Sequence, residues 1–158
     1  MKKRVVVSLC LFTLMFGIAA TALLAAENPA MGTWKLNEAK SKFDAGATKN
    51  QTVTYTADGD NIKCTIDGTD GSGKAVHSEW TGKFDGKEYA IKGDSTADMR
   101  SYKNVDAHTV SIVTKKDGKV TLTAKIVYSA DWKTRTVTVS ATGADGKKST
   151  STAVYDKQ

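Results

Sequence analysis

From Gln51 onward the chain alternates apolar and polar residues with a period of two. In 51–57, Val53, Tyr55 and Ala57 fall on one side, and Thr52, Thr54 and Thr56 on the other. Successive side chains of a strand point to opposite faces, so this pattern predicts strands with one buried face. It recurs down the chain. Ile62, Cys64 and Ile66 align in 61–66, and Val76, Ser78, Trp80, Gly82 and Phe84 align in 74–84. Tyr89 and Ile91 align in 87–92, and Val110 and Ile112 in 109–115. Val120, Leu122, Ala124, Ile126 and Tyr128 form one file in 119–128. Segments 97–103, 134–142 and 148–156 complete the series, the first with a weaker pattern. Before them, Trp34 and Leu36 share a face of an opening strand, which makes ten strands in all. A single short turn of helix is expected at 38–42, and 44–50 reads as loop.

Four Asp-Gly pairs punctuate the alternation: Asp58-Gly59, Asp85-Gly86, Asp117-Gly118 and Asp145-Gly146. Both central positions of a type I′ hairpin need positive φ, which Gly adopts freely and Asp tolerates. Consecutive hairpins build an antiparallel, up-and-down meander. Ten strands bury their edges by closing on themselves, so the expectation is an all-β barrel, with an open sandwich as the structural rival. The face opposite each apolar file is Thr, Lys, Ser and Asp, the reverse of a transmembrane barrel.

The N-terminus breaks the pattern. Met1-Lys2-Lys3-Arg4 precedes an apolar stretch and small residues up to Ala26, followed by Glu27. This reads as a secretory signal cut after Ala26, with Ala22 as runner-up and an uncleaved anchor as rival. The mature domain is then 27–158, located in the periplasm or outside the cell, with no stable membrane insertion after cleavage. Of 23 basic and 17 acidic residues, three bases and no acids lie in 1–26, which leaves 20 against 17, a net of +3 on 132 residues. Charge so small and scattered gives no case for nucleic acid. Cys10 leaves with the signal, so Cys64 stands alone, with no intramolecular disulfide, and reads as a small buried apolar residue.

Met31-Gly32-Thr33-Trp34-Lys35-Leu36 resembles the Gly-x-Trp opening strand of the calycins, the group of lipocalins and fatty-acid-binding proteins. Ala153-Val154-Tyr155-Asp156-Lys157 resembles the last strand of a fatty-acid-binding protein. The chain after the signal is similar to small exported bacterial lipocalin-like proteins, carried further by Gln51-Thr52-Val53-Thr54-Tyr55 and Val105-Asp106-Ala107-His108. The resemblance implies a calycin barrel of about ten strands, with Gly32 allowing close approach and Trp34 plugging one end. It also implies a small apolar or amphipathic ligand inside. Three departures stand out. The carboxylate-holding Arg expected two residues before the last-strand Tyr is replaced by Ala153. The segment 38–50 is too short for two lid helices. Arg135, the only late Arg, lies one strand before the position from which a lipocalin Arg packs on the opening Trp.

The candidate ligand contacts are Trp80, Phe84, Tyr89, Arg100, Tyr102 and Tyr128. Such aromatic residues line a cavity or simply fill a barrel. Arg100 and Tyr102 share a face with Asp98. If internal, they grip an anionic head group, with Asp98 as the partner of Arg100. If external, they are an ion pair beside a surface tyrosine. His77 and Glu79 offer two of the ligands a metal needs but no third, and read as solvent-facing. Runs such as Thr134, Thr136 and Thr138 are ordinary outward strand residues rather than an ice-binding array. No nucleophile elbow or Cys-His pair is visible. The expectation is a monomeric binding protein, with no enzyme activity, cofactor or metal. The alternative is a structural or interaction protein of the cell envelope with a solid core and no internal ligand.

Overall fold

The computed structural model describes residues 28–142 and 146–158. The signal segment 1–26 and Asp145 lie outside the described residues. Ten strands follow in order: β1 (Gly32–Leu36), β2 (Lys49–Asp58), β3 (Asn61–Thr69), β4 (Ala75–Gly82), β5 (Tyr89–Lys92), β6 (Met99–Asp106), β7 (Thr109–Lys116), β8 (Lys119–Tyr128), β9 (Thr134–Thr142) and β10 (Lys148–Lys157). Each pairs antiparallel with its neighbours in sequence, and β1 also pairs with β10, so the meander closes into a ten-stranded, up-and-down barrel. The expected short helical turn is a 3-10 turn at Glu38–Lys40, capped by the Asn37 side chain.

Alternation became a barrel because each apolar file finds the same interior. Trp34, Val53, Tyr55, Cys64, Ile66, Trp80, Ile112, Ile126 and Val137 come from seven strands and form one buried cluster. At roughly 25 cal/mol per Å² of apolar surface, each such side chain stabilises the fold by about 1.5–3 kcal/mol before entropy is counted. The files run off at the strand ends. Val120 is half exposed, because a bulge between Thr114 and Lys115 shifts the β7–β8 register there.

Several boundaries differ from expectation. Segment 97–103 begins instead at Met99, because Ala97 is held in a loop by the carbonyl of Asp94. Phe84 and Lys87 fall in the β4–β5 connection. Among the Asp-Gly pairs, Asp117 and Gly118 both have positive φ (49° and 75°), as type I′ requires. The first hairpin differs: Asp58 pairs with Asn61, so its loop is Gly59-Asp60. Asp85-Gly86 sits in a longer loop, where Asp85 bridges to Lys103.

The barrel has two unlike ends. One gathers the N-terminal segment, the β4–β5 loop, the Ala107-His108 turn and the Trp132 turn. The other gathers the loops after β1, β3, β5, β7 and β9. We call these the Trp132 end and the Gly118 end.

Candidate functional site

Trp34 is fully buried, and its indole Nε1 donates to the carbonyl of Ala30 at 3.0 Å. That bond ties the N-terminal segment across the Trp132 end. Gly32 has a φ of +104°, whereas a Cβ there would meet only Lys157 Cε, at 3.4 Å. Left-handed backbone, rather than close approach, therefore requires glycine at this position. Tyr128 packs on Trp34 with ring centroids 5.4 Å apart. Trp132 continues the series, 4.9 Å from Tyr128 and stacked on His108 at 4.5 Å.

Four of the six candidate ligand contacts form one cluster, and Arg100 joins it through its backbone. Tyr102 stacks on Phe84 with centroids 4.8 Å apart and planes 8° from parallel. Trp80 lies 4.5 Å from Tyr102 and meets Tyr89 edge-on at 5.8 Å. Trp80 Nε1 donates to the carbonyl of Arg100 at 3.0 Å. Tyr128 stands apart, across the interior beside Trp34. Aromatic pairs like these add about 0.5–1.5 kcal/mol each beyond burial.

Arg100 and Tyr102 face inward, which settles the alternatives left open by sequence. The carboxylate beside Arg100 is not Asp98 but Asp94, with Nη2 to Oδ2 at 3.4 Å. Arg100 Nε also donates to Thr114 Oγ1 at 3.2 Å. Asp98 turns away and accepts from the backbone N–H of Asp117 at 2.8 Å.

Arg135 is the residue that sequence reasoning set aside. It is 2% exposed, and its guanidinium carbon lies 4.9 Å from the centre of the Trp34 ring. The strand count was misleading, because barrel closure leaves only β10 between β9 and β1. Tyr155 and Tyr55 also flank the guanidinium, at 4.7 and 5.3 Å. No carboxylate pairs with it among the described residues. Each ring is worth up to about 2 kcal/mol to a desolvated cation. Burying an ion costs several kcal/mol. Rings satisfy the flat faces of a guanidinium and leave its in-plane donors bare. Both Nε and Nη1 lack hydrogen-bond partners, as does the neighbouring Tyr128 hydroxyl.

The tyrosines register this environment. Burial pushes the Tyr155 phenol up to about 12, although the Arg135 charge pulls it down. Burial raises Tyr55 and Tyr102 as well. Cys64, at 3.8 Å from the Tyr102 hydroxyl, is raised by the same cause and is an inert thiol in the folded state.

Toward the Gly118 end the interior changes character. Leu36, Ala124 and Val139 pack against the core yet are only half-buried, so water reaches the inward face there. Two concavities flank the barrel. One, of about 240 Å³, lies at the Trp132 end among Pro29, Ala30, Phe84, Val110, Tyr128 and Trp132. A groove of about 550 Å³ runs between the 38–49 and 69–73 segments at the other end.

His77 and Glu79 lie on the outer face, exposed. His77 Nδ1 is 2.7 Å from Asp67 Oδ1, and Glu79 pairs with Lys63 at 2.9 Å. The Asp67 contact raises the His77 pKa. Among the described residues no group of three His, Cys, Asp or Glu side chains is arranged to hold a metal ion.

No family model matches the chain, and no curated protein matches it. The fold does match solved structures. The designed barrel EF1p2_mFAP2b, solved bound to DFHBI, superposes with a TM-score of 0.50 at 11% identity, over 82% of this chain and 94% of that one. The redesigned β-barrel mFAP1, also bound to DFHBI, gives 0.47 at 13% identity, over 82% and 95%. Lobster apocrustacyanin A1 gives 0.43 at 14% identity, over 84% and 63%. At such identities the likeness is one of fold.

Proposed function

We propose that this chain is an exported, lipocalin-like binding protein that holds a small apolar or amphipathic molecule inside its barrel. The observation that carries the reading is the graded interior. Buried rings pack the middle of the barrel, and toward the Gly118 end the inward side chains of Leu36, Ala124 and Val139 are aliphatic and only half-buried. A barrel of this fold is known bound to DFHBI, which supports a small-molecule-binding role here. In this reading Trp80, Phe84, Tyr89 and Tyr102 are an aromatic floor, Arg100 and Tyr128 are polar contacts, and Gly32 and Trp34 close the end. The protein acts as a monomer after the signal is removed.

Native mass spectrometry of protein recovered from the cell envelope tests both halves of the proposal. A mature N-terminus at Glu27 and a released low-mass species are the expected results. The second reading is a solid barrel acting through its surface, favoured by the near-complete burial of Trp34, Trp80 and Tyr102. A protein that carries no small molecule, and takes up no apolar dye, would decide for that reading.

A further inference from the structure

We propose that the cavity at the Trp132 end binds one neutral, hydroxyl-bearing ring, a monosaccharide unit held between aromatic side chains and three polar ones. The inference goes beyond the internal-ligand reading, because this cavity lies at the opposite end from the half-buried inward face.

Trp132 sits in the turn between β8 and β9 with a φ of +57°, a left-handed conformation that bulky residues rarely adopt. The turn is built to hold it there. Trp132 N–H donates to the Ser129 carbonyl at 2.9 Å. Asp131 Oδ1 accepts from the Ser129 hydroxyl at 2.6 Å and from the Lys133 N–H at 3.1 Å. Asn would take this backbone at lower cost. The strained position sets a half-buried indole in the cavity wall, beside Tyr128 and Phe84, with His108 stacked on it at 4.5 Å. The facing wall, from the N-terminal segment, is preformed: the Ala30 carbonyl accepts from Trp34 Nε1 at 3.0 Å.

The polar lining selects the ligand class. Asn28, Asn104 and Asp106 line the cavity, and no basic side chain does. Asn28 Oδ1 accepts from the Ala30 N–H at 3.0 Å, while its NH₂ group has no partner among the described residues. Neither end of the Asn104 carboxamide has one there. Asp106 Oδ1 accepts from the His108 N–H at 2.8 Å, a bond that lowers the Asp106 pKa and keeps the group an acceptor. Donors and acceptors are therefore offered together. A hydroxyl is both, so a sugar uses the whole set. An anion would meet the Asp106 charge. A cation would leave the carboxamide N–H groups unused and would approach Lys157, whose ammonium already donates to the Pro29 carbonyl. The apolar C–H face of a sugar ring suits the aromatic surfaces. At about 30 Å³ per water in the liquid, 240 Å³ corresponds to about eight waters, room for one sugar ring rather than a chain of them.

The test is NMR titration of the purified protein, read at the Trp132 indole N–H and the Val110 methyls. The probes are methyl glucoside, methyl galactoside, N-acetylglucosamine, cyclohexanol, choline and acetate. At least one sugar should saturate these signals at a concentration tenfold or more below that of cyclohexanol, with the buried Trp80 indole unmoved. Trp132→Gly should abolish the Val110 response to that sugar while the unfolding midpoint stays or rises, because the strain goes with the ring. Asn104→Ala should weaken the sugar several-fold and leave cyclohexanol unchanged. A disaccharide that binds as tightly as the monosaccharide would identify the end of a glycan as the occupant, and its exclusion a free sugar. Cyclohexanol binding as tightly as the best sugar would overturn the inference in favour of a merely apolar pocket. Choline or acetate binding in place of the sugars would overturn it in favour of a charged ligand. No response to any probe would show an indole that only seals the barrel end, and would leave the internal-ligand reading standing.

Discussion

The two buried arginines show how differently one barrel treats the same side chain. Arg100, 8% exposed, is held by a carboxylate and a threonine hydroxyl near the Gly118 end. Arg135, near the other end, is held by three aromatic rings, with no acid paired to it among the described residues. The first is a conventional, partly hydrated pair. The second keeps its charge against the cost of burial, with donors left over.

Substitutions can break this comparison. The largest effect is expected at the ring that both closes the barrel and covers Arg135: Trp34→Ala should cost about 3–5 kcal/mol, seen as a lower urea midpoint with an unchanged slope. Next comes Asp94→Asn, which leaves Arg100 without its acid. Buried pairs lose about 3–5 kcal/mol on such a change, but Asp94 retains some contact with water, so about 1–3 kcal/mol is expected. Arg135→Met should be neutral or stabilising by about 1 kcal/mol, since no partner is orphaned and an apolar chain of similar length refills the site. If it proves as costly as Asp94→Asn, the contrast between the arginines collapses.

Alkaline pH sharpens the picture around Arg135. All five tyrosines have raised pKa values, Tyr155 up to about 12. A phenol whose folded pKa is raised holds more protons folded than unfolded. Its stabilisation is complete below the ordinary value near 10 and is lost as pH rises toward 12. Absorbance at 295 nm should therefore show phenolate appearing together with unfolding, and a tyrosine titrating near 10 in the folded protein would contradict this. The smallest effect is outside the barrel. The raised pKa of His77 means that its contact with Asp67 helps below about 6.5 and fades as pH rises through the folded value. Exposure keeps that contribution within the error of a thermal melt, so His77→Ala should be silent.

The fold was legible because alternation is local. A period of two over six or more residues needs no knowledge of partners, and the ten strands emerged with boundary errors of a few residues. The Ala97 start failed because Asp94 captures that segment as a turn. The site was less legible because its contacts depend on closure. Counting strands from the chain end put Arg135 too far from Trp34, yet in a ring the first and last strands are neighbours. Asp98 looked like the partner of Arg100 because it shares strand parity with it. The loop from Gly93 instead folds back, and Asp94 reaches the guanidinium. No pattern in the sequence signals which buried arginine lacks an acid.

The most direct test of an internal ligand is methyl-resolved NMR with decanoate added. The inward methyls of Leu36, Ala124 and Val139 should shift and show intermolecular contacts with the ligand chain. Shifts confined to Val105 and Val127, which are exposed, would contradict it.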